Sequence, residues 1–429
     1  MRRAVAWLGT FAATLLFRRV EVAGDEHFPR RRPVLLVANH FNGFVDPVLI
    51  TSALGRTPRF IAKAELAEVP LAGFLLRRMG VVFVRRPSAA PDGTTVDNAD
   101  AFAECHRALA RRDTVAIFPE GTTHDRPRVD PIRTGAARIA LGARAAGAQG
   151  LTIVPVGLTF PDKVALRSSA LVQFGPPIEL DEVSPPERGE GADAVTDLTA
   201  VIDRGLRAVS PDYADIETAL ALEQAAHLAL SSQREGEPSL AARHALARQL
   251  GRASEADQER VCRAVGRYTT VLSGLHLSDG DVITPTSPTR LVRSAVGIGV
   301  LVVLLGGLVA ATALVNVWPA GLVALASLLV RTPVSKGTVR VLVGVLAFPV
   351  AWIGAAVAAA DGVPRVSLLT ITFAVGAVAA VWLVERAMAL AQMLLRWQAQ
   401  RERIGTVAWA QAVRDEVAAT VQEIAGAPS

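Results

Sequence analysis

The chain has 429 residues, of which 51% are hydrophobic, and its formal net charge is +5. This hydrophobic fraction exceeds what a soluble enzyme needs, so part of the chain is predicted to lie in lipid. The basic balance suits an anionic membrane surface or a phosphate-bearing substrate, whereas the scattered arginines form no stripe of the kind that binds nucleic acid. Only two cysteines, Cys105 and Cys262, are present, which excludes a small disulfide-stapled secreted protein.

The N-terminus combines basic residues with an apolar run that is closed by Arg18 and Arg19. No small-residue cleavage site of a secretory signal follows this run. We therefore predict an amphipathic helix over residues 1–25 that lies in the membrane interface, with Trp7 and Phe11 inserted. The alternative is an ordinary helix that covers the first domain.

Residues 26–210 alternate between short apolar runs and helical periodicity, which is the pattern of an α/β domain. The apolar runs predict strands at residues 33–39, 59–66, 80–86, 114–121, 152–158 and 170–178. Helices are predicted in the gaps, notably over residues 98–112 and 135–147.

A polar, acidic stretch broken by Pro185, Pro186 and Pro211 places the end of this domain at residue 210. Residues 211–288 are rich in alanine, leucine and arginine and have helical periodicity. They predict a small helical unit, for which the sequence indicates no function.

Residues 289–385 are predicted to lie in the membrane. They contain uncharged runs at 294–317, 341–360 and 366–384, each long enough to cross about 30 Å of hydrocarbon. The alternative, buried helices of a large soluble core, explains this composition less well.

Basic residues flank the three runs and favour the cytoplasmic side of a membrane. To keep all of them on that side, we predict a tight hairpin, or a span plus a re-entrant half-helix, over residues 294–330. A second hairpin is predicted over residues 341–384. Residues 386–429 then form a cytoplasmic C-terminal helix. The chain is expected to be a multi-pass protein of the cytoplasmic membrane with its α/β domain facing the cytoplasm.

The segment that follows the first predicted strand carries His40 and, six positions later, Asp46. Neutral imidazole can remove a proton from a hydroxyl group near pH 7, and a carboxylate on its other nitrogen fixes the tautomer. This pair predicts a general base. A single histidine before a helix can also be a cap or a core residue, so the pair is not specific by itself.

Three further segments contain candidate site residues. Two of them place such residues at the ends of predicted strands, and the third has a proline inside a strand. Arg85 and Arg86 end the strand at 80–86, where a guanidinium can bind phosphate, although an arginine pair at a strand end can also be merely solvated. The turn Pro119–Thr122 offers backbone amides for a phosphate or an oxyanion. Pro155 interrupts an apolar strand, an irregularity usually confined to edges and bulges.

The order of these four segments resembles the four-block signature of the glycerolipid acyltransferase family. The blocks are a His followed by an Asp, a Gly-x-x-Phe-x-x stretch with Arg, Phe-Pro-Glu-Gly-Thr, and Val-Pro-Val. Most members have four residues between the His and the Asp, whereas five intervene here, an insertion that a bulge at Asn42–Gly43 could absorb. This spacing and the Pro-Glu-Gly-x-x-His-Asp-Arg stretch also resemble the fungal-type glycerol-3-phosphate and dihydroxyacetone-phosphate acyltransferases.

The resemblance implies a glycerolphosphate-acyltransferase-like mixed α/β sheet flanked by helices, followed by the helical unit and the transmembrane region. It also implies roles for individual residues. The catalytic residues would be His40 and Asp46, and the substrate-binding residues would be Arg85, Glu120, Gly121, Thr122 and Pro155. By extension Arg126 and Arg133, with His124 and Asp125, either contact phosphate or belong to an ordered polar loop.

The expected reaction is transfer of a fatty acyl group from a thioester, of coenzyme A or a carrier protein, to glycerol 3-phosphate or dihydroxyacetone phosphate. One alternative acceptor is 1-acylglycerol 3-phosphate. A second alternative is a catalytically idle lipid-binding scaffold. The expected partners are the bilayer, the acceptor and the thioester, without nucleic acid. No cofactor is expected, and no metal, because the histidines lack metal-ligand spacing.

Overall fold

The computed structural model describes most of the chain. It covers residues 2–68, 72–85, 98–161, 167–185, 189–233, 237–275, 277–283, 287–330, 333–402 and 404–426. The chain divides into two compact units. The first comprises residues 1–216 with two short segments, 239–241 and 333–338, and the second comprises the remainder.

The first unit is built on one mixed β-sheet. Its strands are β1 Phe17–Ala23, β2 Val34–Ala38, β3 Arg59–Lys63, β4 Val82–Val84, β5 Thr114–Ile117, β6 Thr152–Thr159, β7 Ser168–Phe174 and β8 Ile178–Glu179. The spatial order is β1-β7-β6-β2-β5-β3-β4, with β8 also paired to β6. Strands β6, β2, β5, β3 and β4 are mutually parallel, and β7 is antiparallel to β6. The predicted fold class, a mixed sheet with flanking helices, is confirmed.

Helices cover both faces of this sheet. They are α1 Arg2–Leu16, α2 Val45–Leu54, α3 Glu65–Glu68, α4 Ala72–Met79, α5 Ala99–Ala110, α6 Gly135–Ala145, α7 Leu180–Val183 and α8 Ala192–Arg207. Every residue of β2 is buried, as expected for a parallel strand with helices on both sides. Leu35 and Val37 of β2 join Leu109 of α5, Ile139 of α6 and Leu198 of α8 in one core cluster.

The N-terminal helix is shorter than predicted. It ends at Leu16, and Phe17–Ala23 forms β1, which pairs parallel to β7, so the predicted helix over residues 1–25 is wrong beyond residue 16. Val20 and Val22 favour a strand, and pairing with β7 decides the outcome. Within α1, Ala6 and Ala13 are buried, whereas the apolar side chain of Trp7 is 66% exposed.

Pro155 lies inside β6, a central strand, and not at a sheet edge as its residue type suggested. Its backbone oxygen accepts the N–H of Gly175 at 2.8 Å. On that side β6 pairs with β8 up to Ile153 and with β7 only from Val156. The missing N–H of proline therefore faces the gap between two partner strands, where no ladder hydrogen bond is lost.

The second unit is helical. Its helices are α9 Ile216–Gln233, α10 Leu240–Leu250, α11 Glu255–Leu275, α12 Asp279–Ile283, α13 Pro288–Leu329, α14 Pro333–Ala359, α15 Val363–Glu402 and α16 Ile404–Gly426. Helix α16 packs on α11 and α12. Arg414 of α16 is 4% exposed and donates to Asp279 at 2.8 Å, and Tyr268 of α11 donates to the same carboxylate at 2.6 Å. The C-terminal helix is thus joined to the helices that precede the apolar region.

Three helices are long and apolar enough to cross a membrane: Pro288–Leu329, Leu342–Ala359 and Val363–Leu395. The hairpin predicted over residues 294–330 is wrong, because α13 continues through Pro319 as one helix of 42 residues. Proline is tolerated inside apolar helices whose neighbours satisfy the freed backbone group. The single helix predicted over 386–429 is also wrong, since α15 extends to Glu402 before α16 begins.

Helices α13 and α15 pack antiparallel to each other. Ser294 contacts Met393 near one end, and Asn316 donates to the backbone oxygen of Phe373 towards the other. The side chain of Asn316 also accepts the indole N–H of Trp352 in α14 at 2.8 Å. One buried amide therefore connects all three apolar helices.

Candidate active site

The predicted site residues follow the carboxyl ends of parallel strands. His40 follows β2, Glu120 follows β5 and Arg85 follows β4. Because β2, β5, β3 and β4 are parallel neighbours, these ends meet at one edge of the sheet. This is the edge at which open α/β sheets bind ligands.

His40 and Asp46 form a close pair. The Nδ1 atom of His40 lies 2.8 Å from Oδ2 of Asp46. The aspartate side chain is fully buried, whereas the histidine side chain is 19% exposed. A carboxylate at Nδ1 assigns the proton to that nitrogen and leaves Nε2 as the basic atom.

The longer His–Asp spacing is absorbed in the loop before α2. Gly43 adopts a φ of 45°, which a side chain would disfavour, and the N–H of Val45 donates to the oxygen of Asn42 at 2.8 Å. The N–H of Asn42 donates to the same Oδ2 of Asp46 that faces His40. The extra residue is thus taken up in a turn at the predicted place, and the His40–Asp46 contact is retained.

Two further neighbours, which the sequence motifs did not predict, orient His40. The ring of Phe118, at the end of β5, stacks on the imidazole with 4.1 Å between the centroids. Asn39 is fully buried and exchanges two hydrogen bonds with the backbone of Leu158 in β6. The residue before His40 is therefore fixed to the neighbouring strand. A polar asparagine directly after an apolar run, next to the candidate base, was the signal in the sequence.

Glu120 lies beneath the site and not in it. Its side chain is fully buried. Oε1 accepts the backbone N–H of His40 at 2.7 Å, and Oε2 accepts the backbone N–H of Asp130 at 2.8 Å and faces Nε2 of His124 at 2.5 Å. A buried carboxylate with both oxygens engaged does not suit the predicted direct contact with a phosphate group.

The turn after β5 depends on Gly121. Its φ is 72°, and a Cβ atom there would lie 3.1 Å from Nε of Arg133. Its own N–H donates to the oxygen of Phe118 within the turn, so it is not directed at a substrate. Thr122 and Arg133 are both exposed beside this turn. They remain predicted phosphate contacts.

The other predicted substrate residues are placed differently. Arg85 is exposed, and the side chain of Asn98 binds both backbone polar groups of Arg85 at 2.9 Å. Arg86 lies outside the described residues. Arg126 forms an ion pair with Asp130. Pro155 is buried in the middle of β6, in register with Val37 and not at the carboxyl end, so its placement is that of a structural residue.

Glu120, His124 and Asp130 are the described residues whose donor atoms group closely enough to hold a metal ion, all within 4.8 Å of one another. Glu120 and His124 belonged to predicted motifs, whereas Asp130 did not. The grouping was missed because Asp130 reaches it through an irregular loop. The absence of a metal stays a prediction.

The thiol of Cys105, on α5 of the same domain, is not suited to act as a nucleophile. Burial, with a smaller contribution from the charge of Glu104, raises the pKa of the Cys105 thiol to about 12. A thiol of this kind is protonated at neutral pH and is a poor nucleophile.

A histidine that is held by a buried carboxylate at the carboxyl edge of an α/β sheet defines a domain with a general-base site. A model of the Acyltransferase family matches residues 19–159. That range extends from β1 to the end of β6 and includes His40, Asp46 and Glu120. The chain therefore contains an Acyltransferase-family domain.

Individual relatives agree with this assignment. The chain is 33% identical over 215 residues to glycerol-3-phosphate O-acyltransferase 2 of Saccharomyces cerevisiae, a match that covers 46% of this chain and 29% of that protein. It is 28% identical over 149 residues to a chloroplastic 1-acyl-sn-glycerol-3-phosphate acyltransferase of Brassica napus, covering 34% of this chain and 39% of that protein. The chain thus spans well under half the length of these relatives.

Among solved structures, the 1-acyl-sn-glycerophosphate acyltransferase PlsC of Thermotoga maritima matches at 23% identity with a TM-score of 0.35. The match covers 47% of this chain and 77% of that one.

Proposed function

We propose that the chain is a membrane-bound O-acyltransferase that transfers a fatty acyl group from an acyl thioester to a hydroxyl of glycerol 3-phosphate or dihydroxyacetone phosphate. The observation that carries this proposal is the 2.8 Å contact of His40 Nδ1 with Asp46, within a domain of the Acyltransferase family. The name of the yeast relative supports the choice of acceptor.

In this mechanism Nε2 of His40 removes the proton of the acceptor hydroxyl while that oxygen attacks the thioester carbonyl carbon. The resulting tetrahedral oxyanion collapses, the carbon–sulfur bond breaks, and the thiolate leaves with the proton from the imidazolium. Asp46 keeps the imidazole in the required tautomer and stabilises its charged form. No covalent enzyme intermediate is needed.

Positive charge and backbone amides at the same edge of the sheet suit a phosphate-bearing acceptor. Arg85 and Arg133 are exposed there and are assigned to the phosphate, which guanidinium groups bind bidentately. We assign the oxyanion to the amide of Thr122, because the Gly121 amide is already engaged in the turn.

The test is acyl transfer by membranes that contain the wild-type chain, His40→Ala or the control His106→Ala, which changes a histidine on α5 of the same domain. Labelled acyl-CoA and acyl-carrier protein are supplied in separate reactions with glycerol 3-phosphate, dihydroxyacetone phosphate or lysophosphatidate. We expect transfer to the first two acceptors and a loss of at least ~10³ in kcat for His40→Ala. A loss below tenfold would remove His40 as the base.

A second acceptor, 1-acylglycerol 3-phosphate, is favoured by the Brassica relative. Activity with lysophosphatidate alone would retain the mechanism and change the substrate. The idle scaffold is disfavoured because the base and its partner are both in place. Lipid binding without turnover under all donor and acceptor combinations would favour it.

The three apolar helices indicate membrane association. We propose further that the α/β domain faces the cytoplasm and that residues 287 and 404 lie on the same side of the bilayer. Support comes from α16, whose Arg414 is bound to Asp279 of α12, so that the segments before and after the apolar region belong to one folded body. An even number of crossings is then required between them.

The antiparallel helices α13 and α15 can supply one such pair of crossings. Residues 294 and 316 of α13 are 22 apart, about 33 Å along a helix, which matches the hydrocarbon thickness. Single cysteines at Ser287, Asp361 and Gly405, introduced with Cys262→Ser, test this arrangement. Ser287→Cys and Gly405→Cys should be labelled from one side and Asp361→Cys from the other. Labelling of positions 287 and 405 from opposite sides would exclude it.

A further inference from the structure

The carboxylate of Glu120 joins the candidate base to a polar loop that the reaction described above does not use. One of its oxygens holds the backbone N–H of His40, and the other meets His124 and the backbone N–H of Asp130. Its side chain has no exposed surface. An anion in such a place needs hydrogen bonds and compensating charge around it.

His124 supplies the side-chain donor in this arrangement. Its side chain is only 7% exposed, and Nε2 lies 2.5 Å from Glu120 Oε2 and 3.7 Å from Asp130 Oδ2. Because Nε2 lies between two carboxylates, it carries the proton of the imidazole. An unprotonated nitrogen would face two oxygens that cannot donate a hydrogen bond. Arg126 pairs with Asp130 from the exposed side.

A second contact leads from His124 towards the base. The ring of Phe41, the residue that follows His40, packs edge-on against the His124 imidazole with 5.2 Å between the centroids. His124 is therefore connected to the His40 segment in two ways. It contacts Glu120, which binds the backbone N–H of His40, and it packs directly against the side chain of Phe41.

We propose that His124 is a positioning residue for acyl transfer, which acts through the Glu120 carboxylate and Phe41 to fix the orientation of the His40 imidazole. This inference rests on the proposed function for its kinetic consequence, while the positional effect on His40 is independent of any substrate.

Two other roles fit the same contacts less well. As a phosphate ligand, His124 would have to bind an anion although its side chain is nearly enclosed. The neighbouring carboxylates of Glu120 and Asp130 would repel that anion. As a metal ligand with Glu120 and Asp130, it would give up the proton on Nε2. The cation would then compete with the Asp130 N–H and with the charge of Arg126 for the same oxygens.

The substitutions that separate these roles are His124→Leu, which removes the donor at similar volume, and His124→Gln, whose amide nitrogen can reach the position of Nε2. A displacement of about 1 Å at a reacting group can cost ~10² in rate, so we expect His124→Leu to lower kcat by about that factor with acceptor KM changed less than threefold. His124→Gln should recover most of this loss. In the His40→Ala background, His124→Leu should have no further effect, since the residue acts through His40.

A matched control exists in the helical unit, where the buried His244 lies 2.9 Å from Glu223 in a similar pair. His244→Leu should lower thermal stability without altering kcat per folded molecule. If His124→Leu behaves like His244→Leu, its role is only structural and the proposal is overturned. A raised acceptor KM that persists in the His40→Ala background would make His124 a substrate ligand and would also overturn it.

A measurement that requires no enzymatic turnover separates this test from the test of the proposed reaction. The rate at which diethyl pyrocarbonate modifies His40, followed by mass spectrometry, should change at least threefold in His124→Leu and return towards wild type in His124→Gln. An unchanged rate would refute the proposal even if no acceptor is ever found. If the purified wild-type chain contains stoichiometric metal that is lost in His124→Gln, the positioning role is refuted and His124 is instead a metal ligand.

Discussion

The backbone N–H of His40 donates to the side chain of Glu120 at 2.7 Å, although the two residues are 80 positions apart in the sequence. This hydrogen bond ties the loop after β2 to the turn after β5. The histidine is therefore fixed twice, at its backbone by Glu120 and at its ring by Asp46. The two carboxylates that hold this histidine, one at its backbone and one at its ring, have different tasks, and separate substitutions should distinguish them.

Glu120→Gln should impair both folding and activity. The amide has one acceptor oxygen in place of two, so at least one of the N–H groups of His40 and Asp130 loses its partner. We expect a loss of about 1–3 kcal/mol in the free energy of unfolding and at least ~10² in kcat. Urea unfolding and initial rates measure these effects, with the exposed Glu182→Gln as the control. Wild-type kcat in Glu120→Gln would contradict the positional role.

Asp46→Asn should leave substrate binding intact and remove most of the catalysis. An asparagine amide can present its N–H₂ group to the imidazole and so favour the wrong tautomer, an effect that costs ~10⁴ in kcat in the serine-protease triad. We expect a loss of ~10³ or more with acceptor KM within threefold of wild type. Asp100→Asn, on the exposed side of α5, serves as control. A KM change with intact kcat would place Asp46 outside the base mechanism.

Local patterns in the sequence were sufficient to predict the strands that carry the site and the His40–Asp46 contact. Each of these features depends on residues that are near one another in the chain, or on parallel strands whose ends must share an edge. The strand β1 was missed because its pairing partner, β7, begins some 150 residues later at Ser168. Competition between helix and strand at residues 17–23 is decided by that distant strand and not by local propensity.

The contacts of Asp130 in the polar loop around His124 and the continuity of α13 were missed for similar reasons. Asp130 reaches Glu120 through an irregular loop, which has no periodicity that could place it. The hairpin over 294–330 was inferred from the distribution of charge, yet α13 continues through Pro319. Apolar helices tolerate an internal proline more readily than soluble helices do.

Arg85→Ala should act mainly on acceptor binding. The guanidinium is exposed at the carboxyl end of β4, and loss of one charge-assisted contact to phosphate corresponds to about 1.5–3 kcal/mol, roughly a tenfold to hundredfold rise in KM. Arg78→Ala, an exposed arginine on α4, is the control. An acceptor KM unchanged in Arg85→Ala would exclude Arg85 from the phosphate site.

The two cysteines should differ sharply in reactivity. Because burial raises the pKa of the Cys105 thiol to about 12, its thiolate is scarce in the folded protein, whereas Cys262 is partly exposed. Maleimide at pH 7.5 should modify Cys262 and spare Cys105 until urea is added. Since the folded pKa is raised, the stability linked to this thiol is complete below its ordinary value of 9.0 and is lost as the pH rises towards 12. Rapid labelling of Cys105 without urea would contradict its burial.

Asn316 should govern the packing of the apolar helices. Its amide accepts from Trp352 of α14 and donates to the Phe373 oxygen of α15, so Asn316→Leu removes both connections and leaves the indole N–H without that acceptor. Hydrogen bonds between membrane helices contribute about 0.6–2 kcal/mol each, and we expect a loss of about 1–3 kcal/mol for the substitution. Thermal unfolding in detergent measures this loss, and Leu314→Ala, at a side chain that is 90% exposed, should leave it unchanged. The acyl-transfer rate of molecules that remain folded should match wild type, since Asn316 belongs to the unit that does not contain His40. An Asn316→Leu protein with unaltered melting but reduced transfer would instead assign the apolar helices a direct part in the reaction.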